Sequence, residues 1–319
     1  MQVLKKARPP KAVETAPVFC YDVPGGPASP QGKQTPGTVA GGGPQKGETM
    51  ENFFELAMSR KSVRSYDGRP LTAEDAKKLL AFMETPDNPF GIPVSMKLLE
   101  AGAHGLSSPV LTGETFYAAG TVGRVPHGEE AFGFAFERLV LYAWSLGVGT
   151  VWIAGTMNRE TFERAVGLRA EERMPCVTPL GYPAKKRSLR ESLMRKGVRA
   201  DERKPLTELF FDGDFSTPLA AGGGLGRIME AVRWAPSAVN RQPWRILRRD
   251  GLWHFYLKRS AGMANDAVGE LQRIDLGIAL CHFMLGAEEA GLSPALVLED
   301  PGLALPEDVA YSASVSLAI

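Results

Sequence analysis

The stretch FGFAFERLVLYAWSLGV at residues 132–148 decides the fold, because a second version of it, LGIALCHFMLGAEEAGL, occurs at residues 276–292. The two stretches align without a gap at a constant offset of 144 residues, which is 276 minus 132. Both place small and apolar residues at roughly helical spacing and carry a glycine near the end, as a buried helix with a glycine cap does. The chain is therefore predicted to contain two related long helices. The identical pairs are Gly133 and Gly277, Ala135 and Ala279, Leu141 and Leu285, Ala143 and Ala287, and Gly147 and Gly291.

A second match lies upstream of each long helix. Thr85-Pro86 corresponds to Ala235-Pro236 at an offset of 150 residues (236 minus 86), and each pair follows an apolar run with helical spacing. The change of offset corresponds to one short insertion or deletion in a loop. A period this long is typical of a duplicated half of a domain rather than of a solenoid repeat. We predict a first unit at residues 50–210 and a second unit at residues 211–319.

The composition is that of an ordinary soluble globular protein. The 319 residues are 44% hydrophobic, which is enough to bury one large core or two modest ones, and the net charge is +1. This balance favours neither a nucleic acid nor a membrane as a partner. The weakly polar run at residues 139–154 is shorter than the roughly 18–20 residues that a membrane-spanning helix needs. It is predicted to be a buried helix that leads into a strand.

The cysteines and histidines form neither a disulfide framework nor a metal site by spacing. The three cysteines lie far apart without the CxxC pattern of a zinc site, and the four histidines show no ligand spacing. We therefore expect no metal and a reducing, cytoplasmic location. These residues are Cys20, Cys176, Cys281, His104, His127, His254 and His282.

The first 49 residues differ in kind from the rest, with Pro-Gly clusters and almost no apolar periodicity. Such a segment is predicted to be disordered. No apolar run follows Lys5-Lys6, so a secretory signal is not indicated. An alternative is that translation begins at Met50, which N-terminal sequencing of the native protein would decide.

From Met50 onward, helices and strands mix without strict alternation. A short helix is predicted to end near Ser59, and Thr72 with Asp75 resembles a capping arrangement that opens a helix to about Met83. Short apolar runs predict strands, and these runs are residues 94–99, 116–120, 151–154 and 175–180.

Two short segments carry candidate chemistry, and each occurs in only one unit. The first is Arg60-Lys61-Ser62-Val63-Arg64, with three potential oxyanion binders in five residues; the second is the loop APSAVNRQPW at residues 235–244. The first unit has PDNPF at residues 86–90 in place of that loop, and the second unit begins with the acidic stretch FFDGD at residues 210–214. Taken singly, the basic segment is also typical of a solvated turn, and the loop of a helix-ending turn. Their complementary placement favours one site built from both units.

At these two segments and at Asp275-Leu276-Gly277-Ile278-Ala279, the sequence resembles the FMN-dependent nitroreductase family, over most of residues 50–319. It is most similar to the branch in which two nitroreductase-like units are fused in one chain. Ordinary members of the family are homodimers with FMN at the dimer interface. The resemblance implies an α+β, nitroreductase-like fold in which two tandem half units form an internal pseudo-dimer, with a single FMN site.

The resemblance also implies which residues bind FMN. Arginine and hydroxyl groups suit the phosphate dianion, and small residues allow close approach to the flavin ring. Within the basic segment, Arg60 and Ser62 are expected at the phosphate, and Arg64 at the ribityl chain or the pyrimidine edge of the ring. A segment after the first long helix is expected near the ring nitrogen N5, two later basic residues at the phosphate, and the loop over the ring. The residues expected to bind FMN are Arg60, Lys61, Ser62 and Arg64 in the basic segment, Ala154, Gly155 and Thr156 after the first long helix, the later pair Arg203 and Lys204, and Pro236, Ser237, Ala238 and Asn240 in the loop. No catalytic side chain is assigned.

The activity that the resemblance implies is a ping-pong reaction, in which NADH or NADPH reduces FMN and a nitroaromatic or quinone-like acceptor then takes the electrons. The duplication favours a monomer or a loose homodimer. Two alternatives stay open: a non-catalytic protein that binds or stores FMN, and a specialised flavoenzyme such as a reductive dehalogenase or a flavin-consuming enzyme. An added lid over the flavin would favour specialisation, and residues 106–115 are the candidate lid.

Overall fold

The computed structural model describes residues 52–318, except residues 187, 198, 200 and 221. The predictions for residues 1–49 lie outside the described residues. The helices are α1 (Phe53–Ser59), α2 (Ala73–Glu84), α3 (Ala101–His104), α4 (Gly128–Ser145), α5 (Arg159–Val166), α6 (Leu189–Gly197), α7 (Gly223–Trp234) and α8 (Leu271–Glu289), with 3-10 turns at Leu206–Glu208 and Ala238–Asn240. The strands are β1 (Val94–Glu100), β2 (Phe116–Gly123), β3 (Glu172–Arg173), β4 (Val177–Leu180), β5 (Phe210–Asp212), β6 (Asp214–Pro218), β7 (Trp244–Arg249), β8 (Leu252–Lys258), β9 (Ala264–Asn265), β10 (Gly269–Glu270), β11 (Ser293–Val297) and β12 (Val309–Ala318).

The predicted helices and strands are confirmed where the local signal is strong. The two related stretches form most of α4 and α8, and Thr72 caps α2 because its side chain accepts a hydrogen bond from the Asp75 amide. The strands β1, β2 and β4 cover three of the predicted apolar runs. The fourth run, residues 151–154, contributes an isolated bridge from Ile153 to Val177 rather than a full strand.

Two antiparallel arrangements in the fold share one strand order. In the first, β1 pairs with β2, β2 pairs with β4, and β4 is bridged to residues 149–153, which follow α4. In the second, β7 pairs with β8, β8 pairs with β12, and β12 pairs with β11, which follows α8. The second sheet is extended by β5, which pairs in parallel with β7, and by β6. The predicted boundary at residues 210 and 211 falls within β5.

The core lies where α4 and α8 pack against each other, and two glycines set their distance. A Cβ atom on Gly133 would collide with the backbone carbonyl of Ile274, and one on Gly277 with the backbone carbonyl of Glu130. These contacts are reciprocal: 277 minus 133 and 274 minus 130 both equal 144, the offset that aligns the helices. Contacts of this kind are those expected between two equivalent surfaces related by a two-fold axis.

Among the described residues, no helix is both long and apolar enough to cross a membrane.

Candidate functional site

The basic segment at residues 60–64 leaves the end of α1 and runs beside the chain that follows α4. The amide of Val63 donates to the carbonyl of Thr150 at 2.9 Å, and Ser62 forms a parallel bridge with Thr150. Lys61 is exposed, with its Nζ 6.0 Å from the centre of the Trp144 ring. Ser62 and Arg64 are half-buried. The segment therefore presents Ser62 and Arg64 at the margin of the interior.

Arg60 is buried, unlike Lys61, Ser62 and Arg64 of the same segment. Its Nε is 4.0 Å from Oε1 of Glu137 on α4, and both side chains are buried. Glu137 also accepts from Nε1 of Trp152 and contacts Nε2 of His282, each at 3.0 Å. Nδ1 of His282 is 2.9 Å from the carbonyl of Ala231, which can only accept, so that nitrogen carries a proton. This buried cluster ties the end of α1 to both long helices and balances part of the Arg60 charge.

The loop at residues 235–243 has an unusual backbone. Val239, Asn240 and Gln242 have φ angles of 43°, 57° and 49°, in the left-handed region that favours glycine. The region is least favourable for a β-branched side chain such as that of Val239, which is exposed. Each such residue costs on the order of 1–3 kcal/mol and persists only where surrounding contacts hold it. The loop must therefore be fixed by its neighbours.

Polar side chains within the loop supply part of that hold. Ser237 Oγ accepts from the Gln242 amide at 2.9 Å, and Asn240 Nδ2 donates to the carbonyls of Arg199 and Glu202 at 2.7 and 2.9 Å. These groups, expected at the flavin edge, are thus engaged within the protein. Asn240 thereby joins the loop to the segment that follows α6.

Arg203 and Lys204 lie against the same loop. Nη1 of Arg203 is 3.4 Å from Oδ1 of Asn240, and its guanidinium carbon is 4.7 Å from the centre of the Trp234 ring. The amide of Lys204 donates to Oε1 of Gln242 at 2.9 Å, while its Nζ pairs with Glu208 at 3.0 Å. The structure therefore joins the two later basic residues to the loop of the second unit.

Asp275 on α8 anchors the loop from the interior. Its Oδ1 accepts from the Ala238 amide at 2.9 Å, and its Oδ2 is buried without a hydrogen bond among the described residues. Burial raises the pKa of this carboxyl to about 8, partly offset by the Ala238 bond. Burial, with a smaller contribution from Asp275, also raises the pKa of the Cys176 thiol. Asp275 thus lies within electrostatic range of the segment that leads into β4.

The expected N5 segment, residues 154–156, lies beside the segment that leads into β4. Ile153 and Val177 exchange two backbone hydrogen bonds of 2.9 Å, which places residue 154 beside the chain that carries Cys176. The carbonyl of Ala154 accepts from Arg159 at 2.6 Å, and that of Thr156 from Ser108 at 2.5 Å. Gly155 and Thr156 are exposed, and a Cβ on Gly155 would meet nothing within 4 Å. The backbone at Gly155 is therefore open to a ligand.

Sequence reasoning assigned no role to Asp275, Arg159 or Ser65, although all three fix candidate site segments. A signal for Asp275 existed, because it is the one acidic residue in the apolar run from Ile274 to Leu280. Arg159 and Ser65 carry no comparable local signal. No group of three or more metal-ligating side chains occurs in the part of the chain that the structure describes.

Comparison with known proteins identifies the family of the chain. The family described as "Putative TM nitroreductase" matches residues 52–287. No curated protein matches the chain significantly. A solved structure from Thermotoga maritima, described as a putative nitroreductase, is 21% identical with a TM-score of 0.55, and the match covers 86% of this chain and 98% of that one.

Two structures from Clostridium difficile are more distant. A nitroreductase family protein is 17% identical with a TM-score of 0.39, covering 49% of this chain and 95% of its own. An FMN-dependent nitroreductase is 15% identical with a TM-score of 0.36, covering 44% and 94%. The fold is mixed α+β, as expected, and of the three the Thermotoga structure is the one that supports its likeness to a nitroreductase. Since the family match spans well over half of its residues, the chain belongs to this nitroreductase family.

Proposed function

We propose that the chain binds one FMN between the basic segment at residues 60–64 and the loop at residues 235–243. The observation that carries the proposal is the strained loop, held by Asp275 from one side and by the Arg203-Lys204 segment from the other. Strain of this kind clusters at ligand sites. Open backbone at Gly155, near the anchor of the loop, adds a third wall.

The residues present fit the cofactor. The phosphate is a dianion, and Arg64, Ser62, Arg203 and Lys204 are half-buried residues whose hydrogen-bond donors suit it. Arg60 lies deeper, beside Glu137, and would add positive electrostatic potential from the protein interior. Bound FMN would supply the redox chemistry. The protein's own part is to orient the ring, exclude water and hold the phosphate.

The fold supports an internal pseudo-dimer with the units 50–210 and 211–319. The shared strand order and the reciprocal contacts of Gly133 and Gly277 are both what two equivalent units would produce. The first-unit loop carries no comparable strain, since its positive φ is at Gly91. We therefore expect one FMN per chain, in a monomer or a loose homodimer in the cytoplasm.

The activity we propose is electron transfer from NADH or NADPH to a nitroaromatic or quinone-like acceptor by a ping-pong mechanism. A binding or storage protein without turnover is the alternative that a failure of reduction would favour. The test is the FMN content of purified protein, followed by anaerobic addition of NADPH and NADH. One FMN per chain that bleaches supports the proposal. Two per chain would contradict the single site, and none after reconstitution would reject it.

A specialised flavoenzyme is favoured by one observation. The candidate lid, residues 106–115, contacts two proposed walls of the site: Ser108 donates to the Thr156 carbonyl, and the Thr112 amide donates to the Arg64 carbonyl at 3.0 Å. Deleting a lid of this kind should broaden the range of acceptors. Activity on a panel of nitroaromatic, quinone and halogenated substrates, measured with and without the segment, distinguishes a specialised flavoenzyme from an oxidoreductase of broad acceptor range.

The phosphate pocket has its own prediction. Arg64→Ala should lower FMN affinity at least about tenfold, because a charge-assisted contact to the phosphate is lost. Arg60→Ala combined with Arg64→Ala should abolish retention. Arg69→Ala, an exposed arginine paired with Asp67, serves as the control and should bind FMN as the wild type does. Stoichiometric FMN in the double variant would refute the pocket.

A further inference from the structure

A buried carboxyl outside the proposed FMN residues joins α6 to the basic segment. Glu191, on α6, is 3% exposed, and its Oε2 accepts from Ser65 Oγ at 2.8 Å. Ser65 directly follows Arg64, and it is also buried. The two residues are 126 positions apart in the chain. The contact therefore places the start of α6 against the segment proposed to hold the FMN phosphate.

The bonding pattern at this contact is a modified helix cap. Ser188 precedes α6, and its Oγ accepts from the Glu191 amide at 3.1 Å, as a capping serine does. In a capping box the third-residue carboxylate would return to the amide of the cap residue. Here Ser65 Oγ accepts from the Ser188 amide at 3.1 Å and donates to Glu191. The hydroxyl of Ser65 thus bridges the Ser188 amide and the Glu191 carboxylate. The N-terminus of α6 is therefore fully capped only when it contacts Ser65.

The other end of the same segment is fixed to the second-unit loop. Beyond α6, which is about 13 Å long at 1.5 Å per residue, the carbonyls of Arg199 and Glu202 accept from Asn240. Arg203 and Lys204 follow at once and contact Asn240 and Gln242. The connecting segment, residues 188–204, therefore runs from one proposed wall of the FMN site to the other.

We propose that Glu191 is a positioning residue that docks the connecting segment through Ser65 and thereby sets how long FMN stays bound. The inference rests on the proposed function. Docking fixes the path that leads to Arg203 and Lys204, so that these cations and Arg64 converge on one phosphate. Without the dock, the helix loses two of its capping bonds, and the contacts with Asn240 and Gln242 at the far end of the segment remain.

The test compares four variants of the full chain. Ser65→Ala removes both bonds of the bridging hydroxyl, and Glu191→Ala removes the acceptor. Glu191→Gln keeps an amide oxygen that can accept from Ser65. Ser192→Ala is the matched control, because Ser192 is exposed on α6 and its hydroxyl donates to the carbonyl of the cap residue Ser188, and not to Ser65 or Glu191. Circular dichroism and thermal unfolding check that every variant folds.

Two readouts decide the proposal. Hydrogen exchange of the α6 amides in flavin-free protein should be roughly tenfold faster in Ser65→Ala and Glu191→Ala, and FMN should dissociate faster by a similar factor. Glu191→Gln should restore both rates toward the wild type, and Ser192→Ala should change neither.

Unchanged exchange in Ser65→Ala would overturn the docking, and faster exchange with wild-type FMN dissociation would overturn the role in retention. A wild-type protein that binds no FMN would reject the proposed function and the retention role together. The exchange measurement would still decide whether Glu191 docks α6.

Discussion

The loops at residues 85–92 and 235–243 follow corresponding helices, α2 and α7, yet they are stabilised in different ways. The backbone of the first loop is held locally: Asn88 Nδ2 donates to the Ile92 carbonyl at 2.8 Å, its Oδ1 accepts from the Phe90 amide at 3.2 Å, and Gly91 takes the positive φ. From outside the loop, Arg138 pairs with Asp87 and His127 stacks on Phe90. The second loop places three non-glycine residues at positive φ and depends on Asp275 and the connecting segment. The first loop is therefore stabilised mainly by contacts between near neighbours. The second keeps a strained backbone that contacts with distant residues must stabilise.

This difference locates the proposed site more sharply than the motifs do. Strained backbone is retained where it serves a ligand, whereas a loop with no such role relaxes to glycine and local hydrogen bonds. Position 131, which corresponds to Asp275 at the offset of 144, is Ala131, so α4 has no carboxyl at the equivalent position. The anchor and the strained loop therefore occur together, in one unit only.

The largest expected effect comes from titrating the anchor. The pKa of Asp275 is raised from 3.8 to about 8 by burial, so the folded chain keeps a proton that the unfolded chain has lost between pH 4 and 8. The free energy of unfolding should then fall as the pH rises through this range and level off above pH 8. Across this range, the ionisation of Asp275 should lower the free energy of unfolding by up to about 5 kcal/mol.

The variant Asp275→Asn keeps an acceptor for the Ala238 amide and removes the titration, so its unfolding free energy should lose that slope. Urea unfolding at pH 5, 6, 7 and 8 measures the difference. Glu84→Gln, at an exposed position at the end of α2, is the control and should keep the wild-type slope. Parallel pH profiles for the wild type and Asp275→Asn would show that the carboxyl is ionised throughout.

A smaller effect on stability is expected from a substitution in the loop at residues 85–92. Asn88→Ala should lower the free energy of unfolding by about 2 kcal/mol, because backbone groups of the half-buried Phe90 and Ile92 lose their partner. Thermal or urea unfolding measures this loss. The FMN content of the folded variant should stay at the wild-type value, and a fall in stoichiometry would instead give this loop a share in cofactor binding.

The smallest effect is expected at the most strained residue. Val239→Asn should raise the free energy of unfolding by about 1 kcal/mol, since asparagine tolerates the left-handed region and the exposed valine buries little. Val125→Asn, at another exposed valine outside the positive-φ set, is the control and should give no gain. If both variants change the free energy of unfolding alike, the cause is the replacement of an exposed apolar side chain by a polar one and not the relief of backbone strain.

Sequence reasoning recovered the parts of the fold that depend on near neighbours. The two long helices, the Thr72 cap and the strands β1, β2 and β4 follow from periodicity and capping patterns within a few residues. The family assignment was also correct, because its motifs are short and contiguous. The roles given to the site residues stay predictions, although the structure brings Arg203 and Lys204 to the loop that contains Asn240.

Sequence by itself therefore determined the two long helices, the strands β1, β2 and β4, and the family. Only the tertiary structure decided that Arg60 lies beside Glu137, that Asn240 clamps the connecting segment, and that Ser65 completes the cap of α6. Periodicity and capping are read over a few residues, whereas each of these contacts joins residues at least 38 positions apart. Their formation depends on how the whole chain packs, and no local pattern encodes it.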